Sequence, residues 1–109
     1  MTKDDVLHIA EILYESGAIK FRYARRMSED GTRWIRHGPF VAYHEDGGIA
    51  SEGQYVDGAE EGLWRDYHEN GTLAAEGEYR SAKEHGEWQF WNADGTVEKK
   101  INYADGVAQ

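Results

Sequence analysis

The chain has 109 residues with four Trp, seven Tyr, thirteen Gly, one Pro and no Cys. This composition predicts one small domain rich in tight turns and excludes disorder, collagen, a disulfide scaffold and thiolate chemistry. The net charge of −9 is uneven, because residues 1–37 carry +1 and residues 38–109 carry −10. An acidic body of this kind is expected to repel nucleic acid and attract basic proteins.

No apolar run in the sequence is long enough to cross a bilayer, and no apolar signal segment is recognisable near the N-terminus. The absence of Cys agrees with a reducing compartment. A cytoplasmic location is therefore expected.

The first segment, residues 1–17, is predicted to contain a short α-helix over about residues 3–16. Thr2 and Asp5 have the spacing of a capping box, and Gly17 is a stop signal. Apolar side chains fall on one helical face at Val6, Ile9, Ala10, Leu13 and Tyr14. A helix of this length is unstable alone, so its apolar face is expected to dock on the rest of the domain.

Residues 18–37 are predicted to form a basic hairpin, with a strand at 18–27 (AIKFRYARRM) and a turn at SEDGT. The mixture of Arg with aromatic residues is typical of nucleic-acid binders. The acidic remainder would be repelled by phosphates, so no direct contact with nucleic acid is predicted, and ion pairs or an oligomer contact explain the Arg residues as well. Trp34 is either an interface anchor or packed against the predicted helix.

From Gly38 onward the sequence repeats every 24 residues, with units that begin at Gly38, Gly62 and Gly86. Each unit is typical of a β-hairpin, with an aromatic strand, a Gly-containing turn and a strand that alternates apolar and charged residues. Equivalent positions include Phe40, Trp64 and Trp88; Gly47, Gly71 and Gly95; and Tyr55, Tyr79 and Tyr103. Since one hairpin cannot bury its aromatic rings, the units are predicted to stack into a meander.

Two glycines lie inside predicted strands, at Gly53 and Gly77. Each is predicted to leave bare backbone on which a neighbouring Trp or Tyr ring lies flat. The aromatic residues of the repeats are predicted to form most of the core, namely Trp64, Trp88, Trp91, Tyr43, Tyr67, Tyr79 and Phe90.

The repeating unit resembles the MORN repeat in its bacterial variant form over roughly residues 38–106. The residues that carry the resemblance are Trp64, Tyr67, Asn70, Gly71, Leu73, Glu76, Gly77, Tyr79, Gly86 and Trp88. The resemblance implies a curved, single-layer antiparallel meander of about three stacked hairpins. Together with the helix, it predicts a mainly β, single-domain chain over residues 1–109. It also implies antitoxin or immunity-like proteins among its relatives, while other MORN proteins are scaffolds or have been linked to membranes.

No pattern for catalysis, a cofactor or a metal is present. The five His recur with the repeat instead of forming a compact ligand set, and no nucleophile or phosphate-loop motif occurs. Glu52 and Glu76 could form an acid–base pair, but they lie on the predicted charged face of the sheet. The chain is therefore predicted not to be an enzyme.

Acidic residues in or beside the turns form the predicted partner-binding set, together with Trp34. The set is Glu45, Asp46, Asp57, Glu60, Glu61, Glu69, Glu84 and Trp34. One interpretation of these acidic residues is solubility; the other is a field that steers a basic protein. The leading hypothesis is an antitoxin, immunity protein or phage-encoded inhibitor that occludes a basic, nucleic-acid-acting target. The alternative is a scaffold that self-associates through its sheet edges. Membrane binding is not predicted, because anionic leaflets attract Lys and Arg.

Overall fold

The computed structural model describes residues 6–109, which form one antiparallel sheet of nine strands. The strands are β1 (His8–Leu13), β2 (Ile19–Met27), β3 (Trp34–Tyr43), β4 (Ile49–Val56), β5 (Ala59–Tyr67), β6 (Leu73–Arg80), β7 (Lys83–Trp91), β8 (Val97–Ala104) and β9 (Val107–Ala108). Their order in the sheet is their order in the sequence. Within these residues no helix or second sheet covers either face, so the meander is a single layer of 46 × 37 × 22 Å.

The predicted N-terminal α-helix over residues 3–16 is wrong, and with it the predicted fold class, because the described part of the chain is all β. β1 occupies this segment and pairs with β2 along its whole length. An ion pair between Glu11 and Arg22, at 2.7 Å, joins the two strands. The predicted capping residues Thr2 and Asp5 lie outside the described residues.

The error has a physical reason in the apolar residues of this segment. They fit a helical period, but as a strand they place Ala10 and Ile12 opposite Tyr23 and Phe21, which pack against the core, and they place Ile9 on the other face. A strand here pairs with the free backbone groups along the edge of β2, whereas a helix would leave that edge unpaired. Local spacing could not reveal this gain, because it depends on a neighbour in the sheet.

The turns alternate between the two ends of the strands. At the long-turn end they comprise residues 14–18, 44–48, 68–72 and 92–96. At the short-turn end they are residues 57–58, 81–82 and 105–106, preceded by a longer loop at residues 28–33. Both residues of each short turn have positive φ, as a two-residue type I′ hairpin turn requires.

The core is a row of aromatic rings along one face of the sheet. Phe40, Trp64 and Trp88 are buried at its centre. The centroids of Phe40 and Trp64 lie 5.6 Å apart, and Tyr55 and Tyr79 stand edge-on between the large rings. Side chains that pack against the centre are Phe21, Tyr23, Ala42, Tyr55, Tyr79, Phe90 and Tyr103. The repeats therefore share one continuous core across the sheet, as predicted.

Gly53 and Gly77 provide the flat backbone that was predicted for them. A Cβ atom at Gly53 would overlap the indole of Trp64, and one at Gly77 would overlap the indole of Trp88. The strand register shifts at both places. Each indole N–H is also satisfied, since Trp64 donates to the Gln54 carbonyl at 3.1 Å and Trp88 does the equivalent.

Three aromatic residues that were predicted to be core lie outside this cluster. Tyr67 is on the opposite, charged face, where burial and the nearby Glu52 raise its pKa. Tyr43 and Trp91 occupy the equivalent repeat position and follow equivalent register shifts. Alternation along each strand places this position, three residues after Phe40, Trp64 or Trp88, on the face opposite those core rings. The prediction failed because it assigned every repeated aromatic residue to the core.

We expect Gly77→Ala to lower the free energy of unfolding by about 1–3 kcal/mol, because the Trp88 ring would have to move off the backbone. Gly48→Ala is the matched control, since an added Cβ there would meet only the flexible Asp46 side chain. Its effect should stay within about 0.5 kcal/mol. Urea unfolding followed by Trp fluorescence measures both, and equal losses would contradict the role of the bare backbone.

Ala82→Gly should raise the free energy of unfolding by roughly 1 kcal/mol. Ala82 has a φ of 71° at a position where the other short turns have Gly58 and Gly106, and a Cβ is unfavourable in this left-handed region. Gly58→Ala, the reverse change at an equivalent position, should lower it by a similar amount. Thermal unfolding of the two variants tests this, and a less stable Ala82→Gly protein would show that the turn is unstrained.

Candidate protein-binding surface

Hydrogen bonds tie each turn of the long-turn end to the next hairpin. The Tyr14 hydroxyl donates to the Tyr43 carbonyl at 2.7 Å. Histidines do the same in the next two repeats, with Nε2–O distances of 3.0 Å for His44–Tyr67 and 2.8 Å for His68–Trp91. Because a carbonyl oxygen only accepts, these rings carry a proton on Nε2. The turns therefore form one connected edge.

This edge presents a row of carboxylates, which we call the acidic row: Glu15, Glu45, Asp46, Glu69 and Asp94. None of the four turns contains Lys or Arg. Within residues 6–109, none of these carboxylates lies within ion-pair distance of a cation. Strands lie about 4.8 Å apart, so successive long turns are separated by roughly 10 Å. The acidic row thus offers regularly spaced negative charge.

Two members of the acidic row are held by their own turns. Asp46 Oδ1 accepts the Gly48 N–H at 2.9 Å. Asp94 Oδ1 accepts both the Thr96 hydroxyl, at 2.6 Å, and the Thr96 N–H, and these bonds lower the pKa of Asp94. The Asp94 carboxylate therefore stays ionised at a lower pH than an ordinary aspartate does.

The remaining predicted residues lie at the short-turn end, and several are engaged within the protein. Asp57 Oδ1 accepts from Arg26 Nη2 at 2.6 Å, and this hydrogen bond is the main cause of the lowered pKa of Asp57. Glu61 Oε2 accepts the Ser81 N–H at 2.7 Å. These two carboxylates therefore stabilise neighbouring turns.

Glu60 and Glu84 flank Tyr79 at the short-turn end. Burial, followed by the charges of Glu84 and Glu60, raises the pKa of Tyr79 to about 12. The phenol therefore remains neutral throughout the physiological range, and it separates two carboxylates that would repel each other.

Trp34 begins β3 at the short-turn end, in the wall of an open cleft of about 710 Å³. The residues that line the cleft are Arg26, Arg33, Trp34, Ile35, Arg36, Tyr55, Asp57, Gly58 and Glu60. We call it the arginine cleft. The Trp34 ring is stacked with the Arg25 guanidinium, 4.1 Å from the ring centroid, and remains 44% exposed. It packs against His8 of β1 and Arg25 of β2 instead of the predicted helix.

The predicted set is thus divided between two ends of the sheet, which are roughly 25–30 Å apart for strands of eight or nine residues. Glu45, Asp46 and Glu69 come together in the acidic row, whereas Asp57, Glu60, Glu61, Glu84 and Trp34 lie at the opposite end. Sequence reasoning missed Glu15, because it was assigned to a helix. The signal was available in Gly17 and Ile19, which copy the turn pattern of the later repeats.

The described residues contain no group of three or more His, Asp or Glu side chains that could hold a metal ion. Glu76, one half of the imagined acid–base pair, is engaged in an ion pair with Arg65 at 2.6 Å. Among residues 6–109 there is also no helix long and apolar enough to cross a membrane.

Comparison with known proteins identifies the repeats. The MORN repeat variant family matches three times, at residues 36–57, 60–81 and 84–105. Each match spans two strands joined by a long turn, namely β3–β4, β5–β6 and β7–β8, and ends at the first residue of a short turn. No curated protein and no solved structure matches the chain.

Proposed function

The chain belongs to the MORN repeat variant family, whose repeats often mediate protein or membrane interactions, and we propose that it is a non-enzymatic module that binds a basic protein along the acidic row. The proposal concerns the long-turn end because, in the described part of the chain, its carboxylates form no ion pairs and are evenly spaced. At the short-turn end, by contrast, Asp57 is paired with Arg26.

The single observation that carries this proposal is the segregation of charge. Residues 38–82 have a net charge of −8, and none of the long turns contains a cation. Fields of one sign accelerate the encounter with an oppositely charged partner by orders of magnitude. The shared aromatic core holds the turns rigidly, so little ordering free energy would be lost on binding.

The finer proposal is that the partner acts on nucleic acid and that binding occludes its phosphate-binding surface. Such surfaces are rich in Lys and Arg, and a rigid row of carboxylates is complementary to them. An antitoxin, an immunity protein or a phage-encoded inhibitor would work in this way. The support is the charge distribution together with the family resemblance.

A self-associating scaffold is the alternative, and one observation favours it. Among residues 6–109, β1 is an edge strand of the sheet, and apolar side chains in it and just before it are exposed, including Val6, Ile9 and Leu13. The opposite edge differs, since β9 has only two residues and β8 carries Glu98 and Lys99 beside it. Analytical ultracentrifugation distinguishes the scaffold from the binding module. A scaffold must self-associate, so a chain that remains a monomer up to high concentration would contradict the scaffold.

Glu45→Lys combined with Glu69→Lys tests the proposed function. The immobilised wild-type chain is expected to capture a protein of high isoelectric point from the organism that encodes it. With that protein in hand, the double variant should slow association at least tenfold at low salt and change dissociation much less, because long-range attraction acts on the encounter. Stopped-flow fluorescence measures both rates.

Glu78→Lys combined with Glu87→Lys is the matched control, since it makes the same change in net charge at exposed strand positions away from the long turns. It should slow association no more than about threefold. Equal effects of the two double variants would assign the attraction to net charge alone. Capture of only acidic proteins, or association that does not weaken with salt, would overturn the proposal.

A further inference from the structure

The arginine cleft is anomalous in an acidic protein because two of its guanidinium groups lack an acidic partner. Arg22, Arg26 and Arg65 each form an ion pair with a carboxylate. In the part of the chain that the structure describes, no carboxylate lies within ion-pair distance of Arg33 or Arg36. Unpaired cations beside a body with net negative charge are available to an external anion.

Arg36 is held in place by aromatic rings. Its guanidinium lies 4.8 Å from the centroid of Tyr23 and 5.4 Å from those of Phe40 and Tyr55. Arg36 Nη1 donates a long hydrogen bond of 3.4 Å to the Tyr55 hydroxyl. Most of the five N–H groups of the guanidinium therefore have no acceptor among the described residues. Stacking fixes the plane of the guanidinium without using its donors, which is the arrangement needed to bind a carboxylate with two parallel bonds.

The repeats provide an internal comparison for this corner. Glu60 and Glu84 occupy the positions equivalent to Arg36 in the following two repeats, and Gly58 and Ala82 are equivalent to Trp34. The backbone at the Arg36 position is equivalent, as shown by matching hydrogen bonds from the short turns to the carbonyls of Arg36, Glu60 and Glu84. At the other position it differs, because Trp34 begins a strand whereas Gly58 and Ala82 lie in two-residue turns with positive φ. The cationic and aromatic character of the cleft therefore comes from its side chains and is absent from the repeat pattern.

The loop at residues 28–33 presents Arg33 in an ordered conformation. Asp30 Oδ1 accepts the Ser28 hydroxyl at 2.6 Å and the Thr32 hydroxyl at 2.7 Å. Ser28 Oγ in turn accepts the Arg33 N–H at 3.2 Å. The hydrogen bonds from the two hydroxyls and from the Thr32 N–H lower the pKa of Asp30 to about 2, with a smaller contribution from the charge of Arg33. The Asp30 carboxylate is therefore ionised and close enough to interact with Arg33, but in residues 6–109 the two groups lie beyond ion-pair distance.

We propose that the arginine cleft binds an acidic peptide segment of a protein partner, with Arg33 and Arg36 as ligands of a carboxylate side chain and Trp34 as the wall for an adjoining apolar residue. Trp, Tyr and Arg dominate the hot spots of protein interfaces, and the cleft contains all three at its surface. It is open to solvent, which suits a peptide better than an enclosed small molecule.

The charges around the cleft favour a carboxylate over a phosphate or a polyanion. Asp57 and Glu60 also line the cleft, and the adjacent residues 38–82 carry −8. A dianionic phosphate, a nucleic acid or an anionic membrane would be repelled by these groups more strongly than a single monoanionic side chain. The cleft lies at the end opposite the acidic row, so both surfaces can be occupied together.

Fluorescence anisotropy with a defined probe tests the proposal on the full chain. The probe is a fluorescein-labelled peptide with one Glu next to a Leu in an otherwise uncharged sequence, and its partner peptide has Gln in place of that Glu. We expect the Glu peptide to bind at least about tenfold more tightly than the Gln peptide at low salt. Arg33→Ala combined with Arg36→Ala should weaken the binding of the Glu peptide by at least about tenfold.

Two further variants keep the outcome interpretable. Arg33→Ala alone removes an exposed side chain without touching the aromatic core and should weaken binding about threefold with an unchanged melting temperature. Arg80→Ala, which removes another exposed Arg near the same end of the sheet, should leave binding within about twofold. Equal losses in the Arg80 and Arg33 variants would overturn the proposal. It would also be overturned if inorganic phosphate or phosphatidylserine vesicles bind at the cleft in preference to the Glu peptide.

Discussion

The contact of an indole ring with bare backbone is the interaction on which this fold depends. A single sheet has no second layer to cover its apolar face, so its rings must cover one another and lie close to the strands. Trp64 and Trp88 do this because Gly53 and Gly77 have no Cβ, and the bulged strands bring each ring onto the glycine. The aromatic row that results crosses the repeats and makes them one cooperative unit.

Because the core is shared across the sheet, the two ends of the strands are free to differ. The long turns recur every 24 residues and place carboxylates at regular intervals, while His44 and His68 connect one turn to the next. The short-turn end is chemically mixed, with ion pairs, a neutral Tyr79 and the arginine cleft. Repetition therefore explains the acidic row, and departure from repetition explains the cleft.

The two proposed surfaces have opposite charge requirements and lie on opposite ends of a rigid sheet. A basic partner would be attracted to the acidic row, and an acidic segment would find Arg33 and Arg36 at the other end. Such a protein could contact two parts of one partner or join two partners. The open edge at β1 is a third surface, and its apolar side chains are the feature that distinguishes a scaffold from a monomeric binder.

The 24-residue period by itself determined that hairpins stack in register, that Phe40, Trp64 and Trp88 form the core, and that the two strand glycines receive rings. These features follow from residue types that recur at the same positions in successive repeats. Only the tertiary structure decided that residues 8–13 form a strand, because the pairing with β2 that favours it is not visible in the spacing of the segment's own apolar residues. It also decided which acidic residues are neighbours, since turns that alternate in sequence point to opposite ends of the sheet. It brought the loop residue Arg33 together with Arg36 of β3 and Tyr55 of β4 in one cleft.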